Sequence, residues 1–79
     1  MTTTYEARVH AIGPILERLR RERDLRLDDV SALTADLGHR VDPTALWRWE
    51  NGQRIVNVAN LMVLADVYEV SPCFLIGYE

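Results

Sequence analysis

Start and stop signals for short helices punctuate this chain from end to end. Asp42-Pro43 pairs an N-cap candidate with a proline at the first helical position, and Ser71-Pro72 repeats the signal. Gly13-Pro14 opens an earlier element, while Gly38 and Gly52 stand where helices stop. Between these marks the apolar residues recur at helical spacing. Ile15, Leu16, Leu19 and Leu25 fall toward one side of "PILERLRRERDL" and predict a helix over about 14–23. Asp28 and Asp29 favour a helix N-terminus, and Val30, Leu33 and Leu37 follow at i, i+3 and i+7, so a second helix is expected over about 27–37. The third runs from Pro43 to about Asn51. Asn57 caps "VANLMVLADVY", in which Val58, Leu61, Leu64, Ala65 and Tyr68 form an apolar stripe. "PCFLIG" closes the chain. The expected fold is all-α, a compact bundle of about five short helices over residues 14–79. Residues 1–13 form an arm, or a short helix capped through Thr3-x-x-Glu6.

Seventy-nine residues make one small domain, and 48% hydrophobic content argues against disorder. No apolar run approaches the ~18 residues of a membrane span, and "MTTTYEARVH" lacks the layout of a signal peptide. Cys73 is the single cysteine, so no intramolecular disulfide forms; a packed side chain and a cytoplasmic protein are expected. His10 and His39 have no Cys or His neighbour at ligand spacing. No Ser/His/Asp set and no glycine-rich phosphate loop is present, and Asp28-Asp29 reads as a helix start. Neither an enzyme, a cofactor nor a metal site is expected.

The net charge of −3 is not that of a strongly basic nucleic-acid binder. The distribution is more informative. All nine basic residues are arginines at or before Arg54, and beyond it come only Asp66, Glu69 and Glu79. One basic face and one acidic back are compatible with that order.

Both tryptophans lie in "TALWRWENGQR", two residues apart. Residues i and i+2 sit about 200° apart on a helix. Trp49 shares the arc of Ala45, Leu46 and Glu50, the core side. Trp47 shares the opposite arc with Thr44, Arg48 and Asn51. It reads either as a surface aromatic stacked on Arg48 or Arg54 or as a contact residue for a partner.

The segments "LERLRRERDL", "DDVSALTADLG", "TALWRWENGQR" and "LMVLADVYEVSPCFLI" occur in that order between Leu16 and Ile76. With the Glu50-Asn51-Gly52 exit, Leu61-x-x-Leu64-Ala65 and Val70-Ser71-Pro72, this chain resembles the lambda-repressor/Cro type of helix-turn-helix domain, the Xre family. The "ENGQRIVNV" connection resembles the version in actinobacterial and phage regulators. The resemblance implies a motif over about 27–51 whose second helix, about 43–51, enters the DNA major groove. By position it places Thr44 and Arg48 on base edges, with Pro43 close by. It places Arg26, Asn51, Gln53 and Arg54 on phosphates, helped by His39 and Arg40 in the turn, with Trp47 against sugar or backbone. It also pairs Arg20 with Glu50, which the helical wheel independently turns inward. The implied function is a sequence-specific transcriptional regulator, a repressor or Cro-like protein, acting as a homodimer on a pseudo-palindromic operator in double-stranded DNA. Phe74, Ile76 and Tyr78 of the apolar tail are the candidate dimer contacts. The alternative is a protein-interaction module on the same fold, antitoxin-like or a regulatory partner, with Trp47 and the tail serving a protein.

Several positions depart from the pattern. The second helix is about one turn longer, and the turn after it has about two extra residues. Leu27 replaces a glutamine, Asp24 replaces a glycine, and Ile55-Val56-Asn57-Val58 stands where further basic residues are common.

Overall fold

The computed structural model describes residues 4–78. They form six helices: α1 (Tyr5–His10), α2 (Ile12–Glu22), α3 (Leu27–Asp36), α4 (Pro43–Glu50), α5 (Val58–Tyr68) and α6 (Pro72–Leu75). Four N-termini are closed by the side chain before them. Thr4 accepts from the Ala7 N–H at 3.1 Å, Asp42 from Thr44 at 2.8 Å, Asn57 from Asn60 at 2.8 Å and Ser71 from Phe74 at 3.1 Å. Such caps satisfy donors that the helix itself leaves orphaned. Thr3, the cap expected for α1, lies outside the described residues; Thr4 is the residue that caps it.

α2 begins at Ile12, two residues before the expected start. Pro14 falls within its first turn, where no N–H is required of it. Gly13 is therefore inside the helix. It lies against the end of α4: a Cβ added there would sit 3.0 Å from the Glu50 carbonyl oxygen and closer still to that of Trp49. This near contact sets how α2 crosses α4. The turn after α2 is left-handed at Asp24, with φ 53°, and Glu69 ends α5 in the same conformation, with φ 56°.

Leu16, Leu19, Val30, Val41, Leu46, Trp49, Leu64, Tyr68 and Leu75 are buried in one core drawn from every helix after α1. The structure departs from three sequence expectations. On α3, Val30 is buried but Leu33 and Leu37 are exposed, at 37% and 52%. Ser31 and Thr34 take the inner face instead, because Thr34 accepts from the Val41 N–H at 2.9 Å and donates to the Ser31 carbonyl at 2.7 Å. The longer turn is built around this hydroxyl. On α5, Val58 is 71% exposed and Val63 is buried in its stead. Val58 is the first residue of that helix and lies beyond the reach of the core. Cys73 is exposed, because the four-residue α6 buries Leu75 and has no second inward face.

The tail folds back on the domain. Phe74 and Ile76 are half-buried against the core, and the Arg18 guanidinium lies 6.0 Å from the Phe74 ring. Tyr78 is exposed and sits under Arg8 of α1, 4.4 Å from guanidinium carbon to ring centre. Among the described residues no helix is long and apolar enough to cross a membrane.

Candidate nucleic-acid interface

α4 has one inward and one outward arc. Leu46, Trp49 and Glu50 are buried, while Thr44, Trp47 and Arg48 are exposed, and Asn51 follows exposed at its C-cap. Trp47 is 45% exposed. Thr44 and Arg48 are one helical turn apart, so their side chains lie side by side on the solvent face.

The inward arc is fixed by an ion pair. Arg20 of α2 donates from Nε to Glu50 Oε2 at 2.8 Å and from Nη2 to Oε1 at 2.9 Å. Its Nη1 donates to the Leu25 carbonyl at 2.9 Å, tying the same side chain to the turn before α3. The two side chains are 12% and 4% exposed. The bond to Glu50 raises the Arg20 pKa further, against the opposing effect of burial. Beside them, burial pushes the Tyr68 hydroxyl above its ordinary range, and the Glu50 charge adds to the shift against Arg20 and Arg23. Arg23 closes the same corner by donating to the carbonyls of Leu19, at 3.0 Å, and Tyr68, at 2.7 Å.

Next to the outward arc is a hollow of about 590 Å³, lined by Arg20, Arg21, Arg26, Leu27, Asp28, Pro43, Thr44 and Trp47. It lies where the N-termini of α3 and α4 meet the C-terminal half of α2. Helix N-termini carry partial positive charge and free N–H groups, and so favour anions. At α3 the Asp29 carboxylate takes the Arg26 N–H at 2.8 Å. Of the DNA-contact positions expected from the sequence, Arg26, Pro43, Thr44 and Trp47 line this hollow, and Arg20 of the ion pair joins them. Arg40, Arg48, Asn51, Gln53 and Arg54 lie outside it, along α4 and its two connectors. Arg21 also lines it and was missed, because the run "RLRRER" alone does not say which arginine turns toward α4.

The nine arginines differ in what holds them. Arg20 and Arg23 serve the core, Arg18, Arg21 and Arg26 sit near carboxylates of their own helices, and Arg8 covers Tyr78. Among the described residues only Arg40, Arg48 and Arg54 have no ion pair, hydrogen-bonded side chain or ring contact. All three are on α4 or in the connectors flanking it. Asn51 uses its amide N–H on the Trp47 carbonyl at 2.8 Å. The Gln53 backbone N–H closes on the Arg48 carbonyl at 2.8 Å, leaving its side chain exposed. His39 bonds Asn60 through Nε2 at 2.8 Å, which fastens the turn to α5. The connector after Arg54 adds no charge, and Ile55 is 62% exposed.

The helix-turn-helix family model matches residues 16–75, which is most of the chain. The chain belongs to that family, in its lambda-repressor/Cro (Xre-like) form, a family of DNA-binding transcriptional regulators. No curated protein and no solved structure matches it.

Proposed function

We propose that this DNA-binding regulator is sequence-specific and works as a repressor or Cro-like protein, with α3, the turn and α4 as its motif and α4 in the major groove. The DNA-binding unit begins at Ile12, the first residue of α2, with α1 as a short N-terminal addition. Thr44 and Arg48 read base edges with Pro43 beside them. Arg26, Arg40, Asn51, Gln53, Arg54 and Trp47 hold the backbone on either side. The observation that carries this reading is the placement of Arg40, Arg48 and Arg54. The arginines left free of internal partners flank or occupy the exposed arc of α4. In a chain of net charge −3, that gives the interface a local charge opposite to the whole.

Such a small set of cations gives weak binding per chain, with a log–log salt slope of about −0.9 per phosphate neutralised. Two copies on a pseudo-palindromic operator double the contacts and place two α4 helices about 34–36 Å apart. Tyr78 is the tail residue best exposed for contact between copies, since Phe74 and Ile76 already pack on their own core. A cytoplasmic protein fits this role.

The test is selection of bound sites from random duplex DNA across a salt series. An enriched inverted repeat with a clear salt slope supports the reading. Weak, salt-insensitive retention without enrichment would sink it. The second reading, a protein-interaction module, would then take its place, with the exposed Trp47 as the first residue to substitute in a binding assay.

A further inference from the structure

Leu33 of α3 and Leu37 at its C-cap, both turned away from the core, are exposed on the floor of a second groove. It has a volume of about 230 Å³ and is completed by Val67 of α5 and by three carboxylates, Asp36, Asp66 and Glu69. A cavity of about 150 Å³ accepts a benzene ring, so one large apolar side chain fits between the leucines. None of the three acids has an ion pair among the described residues. The part of the chain that supplies Asp66 and Glu69 contains no basic residue after Arg54. An apolar floor with an unneutralised acidic rim selects its occupant by charge. DNA and anionic lipid are repelled, and so is the same groove of a second copy. A cationic segment with an apolar anchor is attracted.

We propose that the α3–α5 groove is a docking site for a partner protein, and that it takes an amphipathic segment with basic side chains around a leucine-sized anchor. The anchor packs between Leu33 and Leu37. The basic groups meet Asp36 from α3 and Asp66 and Glu69 from α5. The placement suits a chain that holds DNA at the same time. α3 lines the arginine-rich hollow with its first residues, Leu27 and Asp28, and the groove with its last, Leu33 and Asp36. A ten-residue helix is about 15 Å long, so the two sites are separate surfaces of one short rod. The proposal does not depend on the DNA reading.

The test uses the full chain and a short fluorescein-labelled helical peptide carrying leucines one turn apart among arginines. A matched peptide with glutamates for the arginines is the control. Fluorescence anisotropy is expected to show saturable binding of the basic peptide and none of the acidic one. Leu37→Ser and the double variant Asp36→Asn/Asp66→Asn should each weaken binding about tenfold, the effect of losing a central contact. Both sites are exposed, so unchanged circular dichroism and melting should accompany the loss. A Leu37→Ser chain that binds the peptide as tightly as the parent would place the peptide elsewhere and overturn the proposal. Equal binding of both peptides would do the same. If sedimentation shows self-association that Leu37→Ser abolishes, the occupant is a second copy and the proposal is wrong.

Discussion

Thr34 and Val41 are joined by one buried hydrogen bond, from the Val41 N–H to Thr34 Oγ1 at 2.9 Å, and the long turn before α4 hangs on it. Thr34 is fully buried, and its own carbonyl also accepts from the His39 N–H at 3.1 Å. Thr34→Val keeps the shape but leaves the Val41 N–H without a partner in the interior. The expected cost is about 1–3 kcal/mol of stability, with Thr34→Ser recovering the bond and losing only a methyl contact. Denaturant melts of the three proteins decide it: a valine variant as stable as the parent would mean that the hydroxyl does not organise the turn.

Arg20 and Glu50 present the opposite case, a pair whose members are worth more to each other than to the fold. Removing one partner, as in Glu50→Gln or Arg20→Met, leaves a buried charge uncompensated and should cost about 3–5 kcal/mol. The double variant Arg20→Met/Glu50→Met should be far less damaging than the sum of the single losses. A double-mutant cycle reads that coupling directly. Additive losses would show that the two side chains act independently despite their 2.8 Å contact.

Tyr68 is expected to make the protein sensitive to alkali. Its phenol is raised in the folded state, chiefly by burial, above the value of about 10 that it has when unfolded. The folded chain therefore holds this proton more tightly than the unfolded one. Its contribution is fully present below pH about 10 and is lost as pH climbs above that value. Phe at this position has no proton to lose. Melting temperatures measured from neutral pH upward should fall for the parent and fall less for Tyr68→Phe; parallel curves would contradict the assignment.

Arg48→Ala separates reading from folding. The side chain is exposed and has no internal partner among the described residues, so melting should be unchanged. Affinity for the selected site is expected to drop by about 1–3 kcal/mol, with discrimination relaxed at the base pair it contacts. Arg54→Ala, by contrast, should weaken all sequences alike and make the salt dependence shallower by about one phosphate. Unaltered binding by the Arg48 variant would move the reading face away from this arc of α4.

The helical wheel separates Trp47 from Trp49 and turns Glu50 inward, and the structure has them so, because an eight-residue helix packed on one side obeys its period closely. The cap-then-proline signals mark the starts of α4 and α6 to the residue. Periodicity misleads on α3. Leu33 and Leu37 fit the apolar spacing from Val30, yet the turn that follows needs a hydroxyl, and Thr34 takes the inner face in their place. In the sequence Gly13 reads as an opening signal because it precedes proline. Its actual role is a close approach to the carbonyls of Trp49 and Glu50, which only tertiary structure exposes. The hollow beside α4 combines ends of three helices, and no local pattern states which arginines converge there.

The contact of Arg8 with Tyr78 closes almost the whole described chain into a ring. Loop-closure entropy grows only with the logarithm of length, and the core has already brought both ends together through α2 and α6. α1 therefore adds to a finished domain as a clasp rather than as a nucleus. It has no buried residue of its own, so it is expected to fray before the core helices. Amide hydrogen exchange is therefore expected to be faster along α1 than along α4, which Arg20 and Gly13 hold from behind.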